Sequence, residues 1–154
     1  LNKFKGVQRR FNKIFSLNKI DFFDDYAHHP TEIKTVLDGV NKVYKGFEKV
    51  CVFQPHRISR LKDLRKEFSF AFEFADIVVL CPIYTAGEKI KLGFDYIKFA
   101  KEIIKNSKVK LFLVNDNYQL AKFIKNNIYG KKIVIGMGAG TISNWMRRLP
   151  ELMG

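Results

Sequence analysis

Residues 76–81 read DIVVLC, a short and nearly unbroken run of branched apolar residues. Three other runs have the same character: KVCVF at 49–53, KLFLV at 110–114 and KIVI at 132–135. Successive side chains of a strand point to opposite faces of a sheet, so a run without polar alternation predicts a strand that is buried on both faces. Four such strands predict a parallel sheet.

The segments between these runs carry apolar residues at helical spacing and predict five helices. The apolar stripes are Ile33 to Tyr44, Ile58 to Ala71, Ile97 with Ala100 and Ile104, Leu120 to Ile124, and Ile142 to Leu149. Pro30 suits the first position of the first helix. Alternation of strand and helix calls for right-handed crossovers, which place helices on both faces of the sheet.

The N-terminal part predicts a different element. Residues 10–17 and 19–23 alternate less cleanly, and Asn18 between them suits a tight turn. We predict a hairpin that adds one antiparallel strand at an edge of the sheet. The expected fold class is α/β: a mostly parallel sheet with helices on both faces and an antiparallel edge hairpin near the N-terminus.

Length and composition indicate a globular chain. The 154 residues suffice for one domain, so we expect residues 1–154 to form a single one. Apolar residues make up 47% and charged residues 28%, which excludes a disordered or collagen-like chain. No apolar run reaches the roughly 18 residues that span a bilayer, so we expect a soluble protein without a membrane partner. The chain begins at Leu1 rather than methionine, and we expect it to be a piece of a larger protein.

The chain carries 28 Lys and Arg against 15 Asp and Glu, a formal net charge of +13. Such a surface attracts anions: nucleic acids, acidic lipids or phosphorylated small molecules. A genome rich in A and T favours Lys, Asn, Ile and Phe and explains the same composition, and both explanations stay open. The lysines are scattered over many predicted helix faces, whereas a nucleic-acid module more often interleaves basic and aromatic residues on one face.

The two cysteines, Cys51 and Cys81, lie inside predicted strands. Buried thiols that pack as small apolar side chains are predicted there rather than a disulfide. Two isolated cysteines also favour a reducing compartment.

Most of the unusual residues follow the predicted strands directly. The carboxyl ends of parallel strands meet at one edge of an α/β sheet, where ligands bind. All three histidines and two closely spaced arginines are predicted there: His28, His29, His56, Arg57 and Arg60. The arginines stand at the start of a helix, on one helical face, where the helix dipole opposes cations unless an anion is present. The sequence therefore predicts an anion-binding edge.

Plainer explanations of these residues stay open. The histidines could bind a metal with Asp24 or Asp25, although their spacing matches no strong zinc signature. The arginines could be solvated, and Asp25 could be a turn or capping residue. The glycines at 136–140 favour a tight turn over a pyrophosphate loop, because they follow the last strand and no acidic residue stands about twenty positions later. The segment 82–88 is equally compatible with a structured loop.

Two segments at this edge, DDYAHHPTE at 24–32 and FQPHRISR at 53–60, resemble signature stretches of the Mur ligases. PIYTAGE at 82–88, GAG at 138–140 and FKGVQRRF at 4–11 agree with the same family. The resemblance covers the whole chain, as the carboxyl-terminal, third domain of a family member. It implies a Rossmann-like domain that closes over a central domain, which holds the phosphates of ATP and Mg²⁺.

Within the family, the resemblance is to the enzymes that join L-alanine to UDP-N-acetylmuramate, a cytoplasmic step of peptidoglycan synthesis. There, ATP phosphorylates the muramic acid carboxylate, and the amine of L-alanine attacks the acyl phosphate. No metal ligand and no nucleic-acid partner is expected in this chain. The resemblance implies that Asp25 binds the ribose of ATP. It implies that Tyr26 and the candidate catalytic residue His28 lie near the alanine and the reacting carboxyl group. It also implies that His56, Arg57 and Arg60 contact the alanine carboxylate or the charge that develops on the acyl phosphate.

The residue types suit these roles, and two departures stand out. A guanidinium is a forked, permanently charged donor for carboxylate or phosphate, and a neutral histidine accepts a proton near neutral pH. Ile58, however, stands where the family motif usually carries tyrosine. The 154 residues also contain no GxxxxGK[ST] phosphate loop and no domain for the uridine nucleotide, so we expect the chain alone to be inactive. The alternative function is a stand-alone basic module that binds a nucleotide or nucleic acid.

Overall fold

The computed structural model describes residues 11–88 and 93–154, and these ranges contain six strands and seven helices. The strands are β1 (Asn12–Leu17), β2 (Ile20–Asp25), β3 (Glu48–Phe53), β4 (Ile77–Leu80), β5 (Lys110–Leu113) and β6 (Lys132–Met137). The helices are α1 (Pro30–Val43), α2 (Ile58–Asp63), α3 (Arg65–Ser69), α4 (Tyr96–Ser107), α5 (Asn117–Asn127), α6 (Ile142–Arg147) and α7 (Leu149–Met153). The FKGVQRRF stretch, apart from Phe11, and the predicted strand start at Arg10 lie outside the described residues.

The strands form one sheet in the order β1-β2-β6-β3-β4-β5. β1 and β2 are antiparallel, and every other neighbouring pair is parallel. The hairpin turns at Asn18 and Lys19, whose φ angles of 52° and 65° are those of a tight mirror-image turn. The predicted mostly parallel sheet with an antiparallel edge hairpin is confirmed.

Two apolar cores lie on the two faces of the sheet. On one face, residues such as Phe53 pack with α1, α2, α3 and α4, the last through Phe99. On the other face, residues such as Val52 pack with α5, α6 and α7, with Met146 of α6 fully buried. Helices therefore cover both faces, as predicted.

The cysteines are buried on opposite faces, Cys51 in the first core and Cys81 in the second, and both are free thiols. Burial raises the pKa of each thiol above its ordinary value of 9.0. The prediction of two buried thiols that pack as small apolar side chains is confirmed.

The prediction that all four apolar runs are buried on both faces is wrong for β5. This strand is one of the two edge strands of the sheet, and Phe112 and Leu113 are 41% and 44% exposed. An edge strand has a neighbouring strand on one side only. The helices that cover the centre of the sheet therefore leave part of this edge strand exposed to solvent.

Three helix predictions also need correction. The predicted helix over Ile142 to Leu149 is two short helices, α6 and α7, which meet at Arg148. In α4 the buried residues include Phe99 and Ile103, whereas Ile97 and Ile104 of the predicted stripe are 53% and 43% exposed. The predicted helix over Ile58 to Ala71 is two short helices, α2 and α3, which meet at Leu64. Among the helices of residues 11–88 and 93–154, none is both long and apolar enough to cross a bilayer.

Candidate active site

The carboxyl ends of four strands lie level at one edge of the sheet. Asp25 at the end of β2 pairs with Met137 of β6, and Met137 pairs with Phe53 of β3. Phe53 pairs in turn with Leu80 of β4. The segments that leave these strands carry the residues singled out in the sequence, so those segments meet at one edge as expected.

His28 lies just before α1, beside the N-cap residue His29. Its Nδ1 lies 3.0 Å from the carbonyl oxygen of Tyr26. A carbonyl oxygen only accepts hydrogen bonds, so Nδ1 carries a proton, and Nε2 is the nitrogen that has a free lone pair when the ring is neutral. The ring packs edge-on against Tyr26 and His56, with centroid separations of 5.2 and 5.8 Å. His28 can therefore accept a proton at Nε2.

Glu32 fixes the backbone at the start of α1. One of its carboxylate oxygens accepts hydrogen bonds from the amides of His28 and His29, at 3.2 and 3.1 Å, as part of a capping box. Burial raises the pKa of Glu32, but these two hydrogen bonds and the nearby imidazoles more than offset it and lower the pKa. An ionised Glu32 therefore holds the segment that presents His28.

His56 follows β3 and supports Arg60. Its ring stacks on Tyr84, with centroids 5.5 Å apart, and its Nδ1 lies 3.2 Å from Nη1 of Arg60. A guanidinium only donates, so Nδ1 accepts and the neutral ring carries its proton on Nε2. Burial lowers the pKa of His56, and the charge of Arg60 lowers it further. His56 is therefore a neutral support for the guanidinium.

Arg57 immediately precedes α2 in a rare backbone conformation, with φ 73° and ψ 132°. Because Arg57 is not helical, the prediction that it shares one helical face with Arg60 is wrong. Both arginines nevertheless line one cavity of about 330 Å³, together with His29, Ser59 and Asp63. The two predicted arginines therefore line one cavity without sharing one helical face.

An acidic residue of the chain itself occupies the start of α2. One carboxylate oxygen of Glu88 accepts hydrogen bonds from the amides of Ile58 and Ser59, at 2.6 and 3.3 Å. The other oxygen accepts from the hydroxyl of Ser59, and this bond is the main cause of a lowered pKa of Glu88. Glu88 thus supplies a negative charge at this helix start, although the sequence indicated only a structured loop there; the binding of an external anion at this edge stays a prediction.

Asp25 is buried at the end of β2 and forms a turn. Its Oδ1 accepts from the amide of Ala27 at 2.8 Å, and its Oδ2 accepts from the amide of Phe11 at 2.7 Å. The first bond is an Asx turn, the plainer of the roles considered for this residue. Asp25 also borders two neighbouring cavities beside α1, of about 180 and 290 Å³. The half-exposed Tyr26 lines the smaller one, and neither cavity includes the arginines.

The glycines after β6 serve close packing. A Cβ at Gly138, where φ is 150°, would lie 2.8 Å from the carbonyl oxygen of Gln54. A Cβ at Gly140 would lie 2.5 Å from Cγ of Tyr84. The amide of Ile142, at the start of α6, donates to the side-chain oxygen of Gln54 at 3.0 Å. The segment is therefore a tight turn whose helix start is capped from within the chain.

The remaining candidates have structural partners. Ile58 is only 6% exposed, so it presents no surface comparable to a tyrosine ring. Asp24 accepts hydrogen bonds from Ser143 and Arg147, at 2.6 and 3.3 Å. Within the two described ranges, no group of three or more His, Cys, Asp or Glu side chains is placed to hold a metal ion.

Comparison with known proteins identifies relatives over nearly the whole chain. The family model of the Mur ligase, glutamate ligase domain, matches residues 9–140. The UDP-N-acetylmuramate–L-alanine ligase of Pelagibacter ubique is 72% identical over 99% of this chain and 33% of that protein. The ligase of the same name from Paramagnetospirillum magneticum is 36% identical over 97% of this chain and 31% of that protein. The chain thus spans about a third of the length of these curated relatives.

Solved structures share the fold. The UDP-N-acetylmuramate–alanine ligase of Thermotoga maritima matches with a TM-score of 0.72 and 28% identity, over 93% of this chain and 29% of that one. A murein peptide ligase of Psychrobacter arcticus matches with a TM-score of 0.78 and 21% identity, over 96% and 30%. The family match and the curated relatives favour a ligase domain over a stand-alone nucleic-acid module. The chain therefore belongs to the Mur ligase family, in which it matches the glutamate ligase domain.

Proposed function

We propose that this chain is the carboxyl-terminal domain of a cytoplasmic, ATP-dependent ligase that joins L-alanine to UDP-N-acetylmuramate in peptidoglycan synthesis. The observation that carries the proposal is the histidine–arginine cluster, defined as His28, His56, Arg57 and Arg60. It lies at the carboxyl edge of the sheet, in a chain whose 72% and 36% identical relatives are named for this reaction. A central domain of the same enzyme would complete the site.

In this proposal the arginines bind the carboxylate of L-alanine. Arg57 and Arg60 line one cavity, and a carboxylate between two guanidiniums forms charge-assisted hydrogen bonds with both. His56 accepts a hydrogen bond from Arg60 and stays neutral, so it orients the guanidinium without adding a third charge. The cavity therefore selects an anionic group of the amino acid.

His28 is the proposed proton acceptor. The amino group of L-alanine is an ammonium at neutral pH and is not nucleophilic until it loses a proton. Because Nδ1 of His28 donates to the carbonyl oxygen of Tyr26, Nε2 is the nitrogen that can take that proton. The free amine then attacks the activated carboxyl carbon of the muramic acid and the carbon–nitrogen bond forms. The bond between that carbon and the phosphate oxygen breaks, and phosphate leaves with the second proton lost by the nitrogen.

Asp25 is the proposed contact for the ribose of ATP. Asp25 borders both cavities beside α1, and a carboxylate oxygen that already accepts one backbone hydrogen bond can accept a second from a ribose hydroxyl. ATP supplies the phosphoryl group that activates the carboxylate of the muramic acid. The described residues contain no group of three or more His, Cys, Asp or Glu side chains placed to hold a metal ion, and in this proposal the central domain holds Mg²⁺.

The test uses the full-length ligase that contains this chain, with phosphate release measured as a function of L-alanine concentration. Arg57→Ala should raise the KM for L-alanine by about 10-fold to 150-fold, the factor expected when one hydrogen bond to a charged group is lost. The KM for ATP should not change. Arg148→Ala is the matched control, because Arg148 pairs only with Glu151 on α7, at 3.6 Å, among the described ion pairs.

Two results would reject the proposal. One is a wild-type enzyme whose phosphate release does not depend on L-alanine. The other is a kcat/KM for L-alanine that Arg57→Ala lowers no more than Arg148→Ala does, since Arg57 would then not bind the amino acid.

A further inference from the structure

We propose that Glu88 is a positioning residue that holds Arg57 in the conformation needed to bind the amino acid; this inference rests on the proposed function. Glu88 does not line the cavity of the arginines. It acts on the backbone that follows Arg57, through the amides of Ile58 and Ser59.

The conformation of Arg57 needs external support. A residue with a side chain at φ 73° and ψ 132° is strained, and such strain persists only where the surrounding structure enforces it. Without that support the peptide would relax to an ordinary conformation and turn the Arg57 side chain away from Arg60. Strain at a residue that lines the cavity therefore calls for a clamp nearby.

The segment after β4 supplies this clamp on both sides of Arg57. Upstream, the carbonyl oxygen of Tyr84 accepts from the amide of Arg57 at 2.8 Å, and the amide of Tyr84 donates to the carbonyl oxygen of Pro55 at 2.8 Å. Downstream, both carboxylate oxygens of Glu88 accept from Ile58 and Ser59. Arg57 is thus fixed between two points of one segment, and Glu88 provides the downstream point.

The charge of Glu88 has a second consequence. The free amides at the start of a helix attract anions, and Glu88 already satisfies two of them. An anionic substrate therefore cannot be held there and is left to the side chains of Arg57 and Arg60. Glu88 in this way separates the helix start from the substrate cavity.

The experiment is a double-mutant cycle in the full-length ligase, with steady-state kinetics for L-alanine and for ATP. Glu88→Ala should raise the KM for L-alanine about 10-fold to 100-fold and leave the KM for ATP unchanged. This factor corresponds to the energy of one strained backbone conformation, which Arg57 would have to regain on binding. Glu88→Gln keeps a side-chain oxygen that accepts hydrogen bonds, so its KM for L-alanine should be close to that of the wild type. Glu151→Ala on the exposed side of α7 is the matched control.

The double variant separates positioning from general stability. If Glu88 acts through Arg57, adding Glu88→Ala to Arg57→Ala changes kcat/KM for L-alanine by less than about 3-fold, because coupled residues are not additive. Equal losses in both backgrounds, or an unchanged KM in the single variant, would overturn the inference. Glu88→Asp keeps the charge but withdraws it by one methylene, and it replaces the alanine variant if that protein does not fold. A wild-type enzyme without alanine dependence would instead refute the proposed function.

Discussion

Alanine substitutions at two glycines should change stability in opposite directions. At Gly138 the new Cβ would lie 2.8 Å from the carbonyl oxygen of Gln54, and φ is 150°, so both a clash with backbone and an unfavourable conformation result. We expect the combined strain and overpacking to destabilise the fold by about 2–4 kcal/mol. For a domain of this length, that loss lowers Tm by roughly 5–15 °C.

Gly39→Ala is the matched control in the interior of α1. A Cβ there has nothing within 4 Å, and its φ is compatible with any residue. Replacing a helical glycine with alanine should stabilise the protein by about 0.5–1 kcal/mol. Thermal unfolding followed by circular dichroism measures both variants. A Gly138→Ala protein as stable as the wild type, or a destabilised Gly39→Ala protein, would refute the packing argument.

Three further outcomes follow from buried groups. The pKa of His56 is lower in the folded protein than in the unfolded chain, so the unfolded chain binds the proton more tightly. The free energy of unfolding should therefore fall as the pH drops below about 6.5, by at most about 1.4 kcal/mol per pH unit. Urea unfolding of His56→Gln should show a shallower pH dependence. Cys51 and Cys81 should both resist a thiol reagent in the native protein and react in urea, since both are buried with raised pKa values; rapid native labelling would contradict this. Asp24→Ala should cost about 1.5–3 kcal/mol by removing the acceptor of Ser143 and Arg147, and equal stability in urea titrations would disprove that role.

Local signals in the sequence were enough to predict the order of strands and helices along the chain. The hairpin turn at Asn18, the helix start at Pro30 and the buried runs around Cys51 and Cys81 each depend on neighbouring residues. These elements could be predicted because the backbone geometry and side-chain burial that define them involve residues close together in sequence. The clustering of segments at the carboxyl edge followed in turn, because parallel strands bring their ends together.

Several of the errors concern neighbours that are distant in sequence. The run at 110–114 has the composition of a central strand, and no residue within the run indicates that β5 is an edge strand of the sheet. The contact between Glu88 and Ile58 joins residues 30 apart, so the anion at the start of α2 could not be identified from the motif itself. The strain at Arg57 is likewise imposed by the segment after β4. Sequence reasoning therefore predicted that the candidate residues meet at one edge of the sheet, but it missed the contacts that support them.

The place of β6 in the sheet bears on how the protein is made. This last strand of the chain lies between β2 and β3, which are synthesised long before it. On the ribosome, the nascent hairpin β1–β2 and the unit β3–β4–β5 therefore emerge without their shared neighbour, and parallel pairing over such distances is slow. A premature stop codon ahead of Lys132 would remove the strand that joins the two halves, rather than a dispensable end.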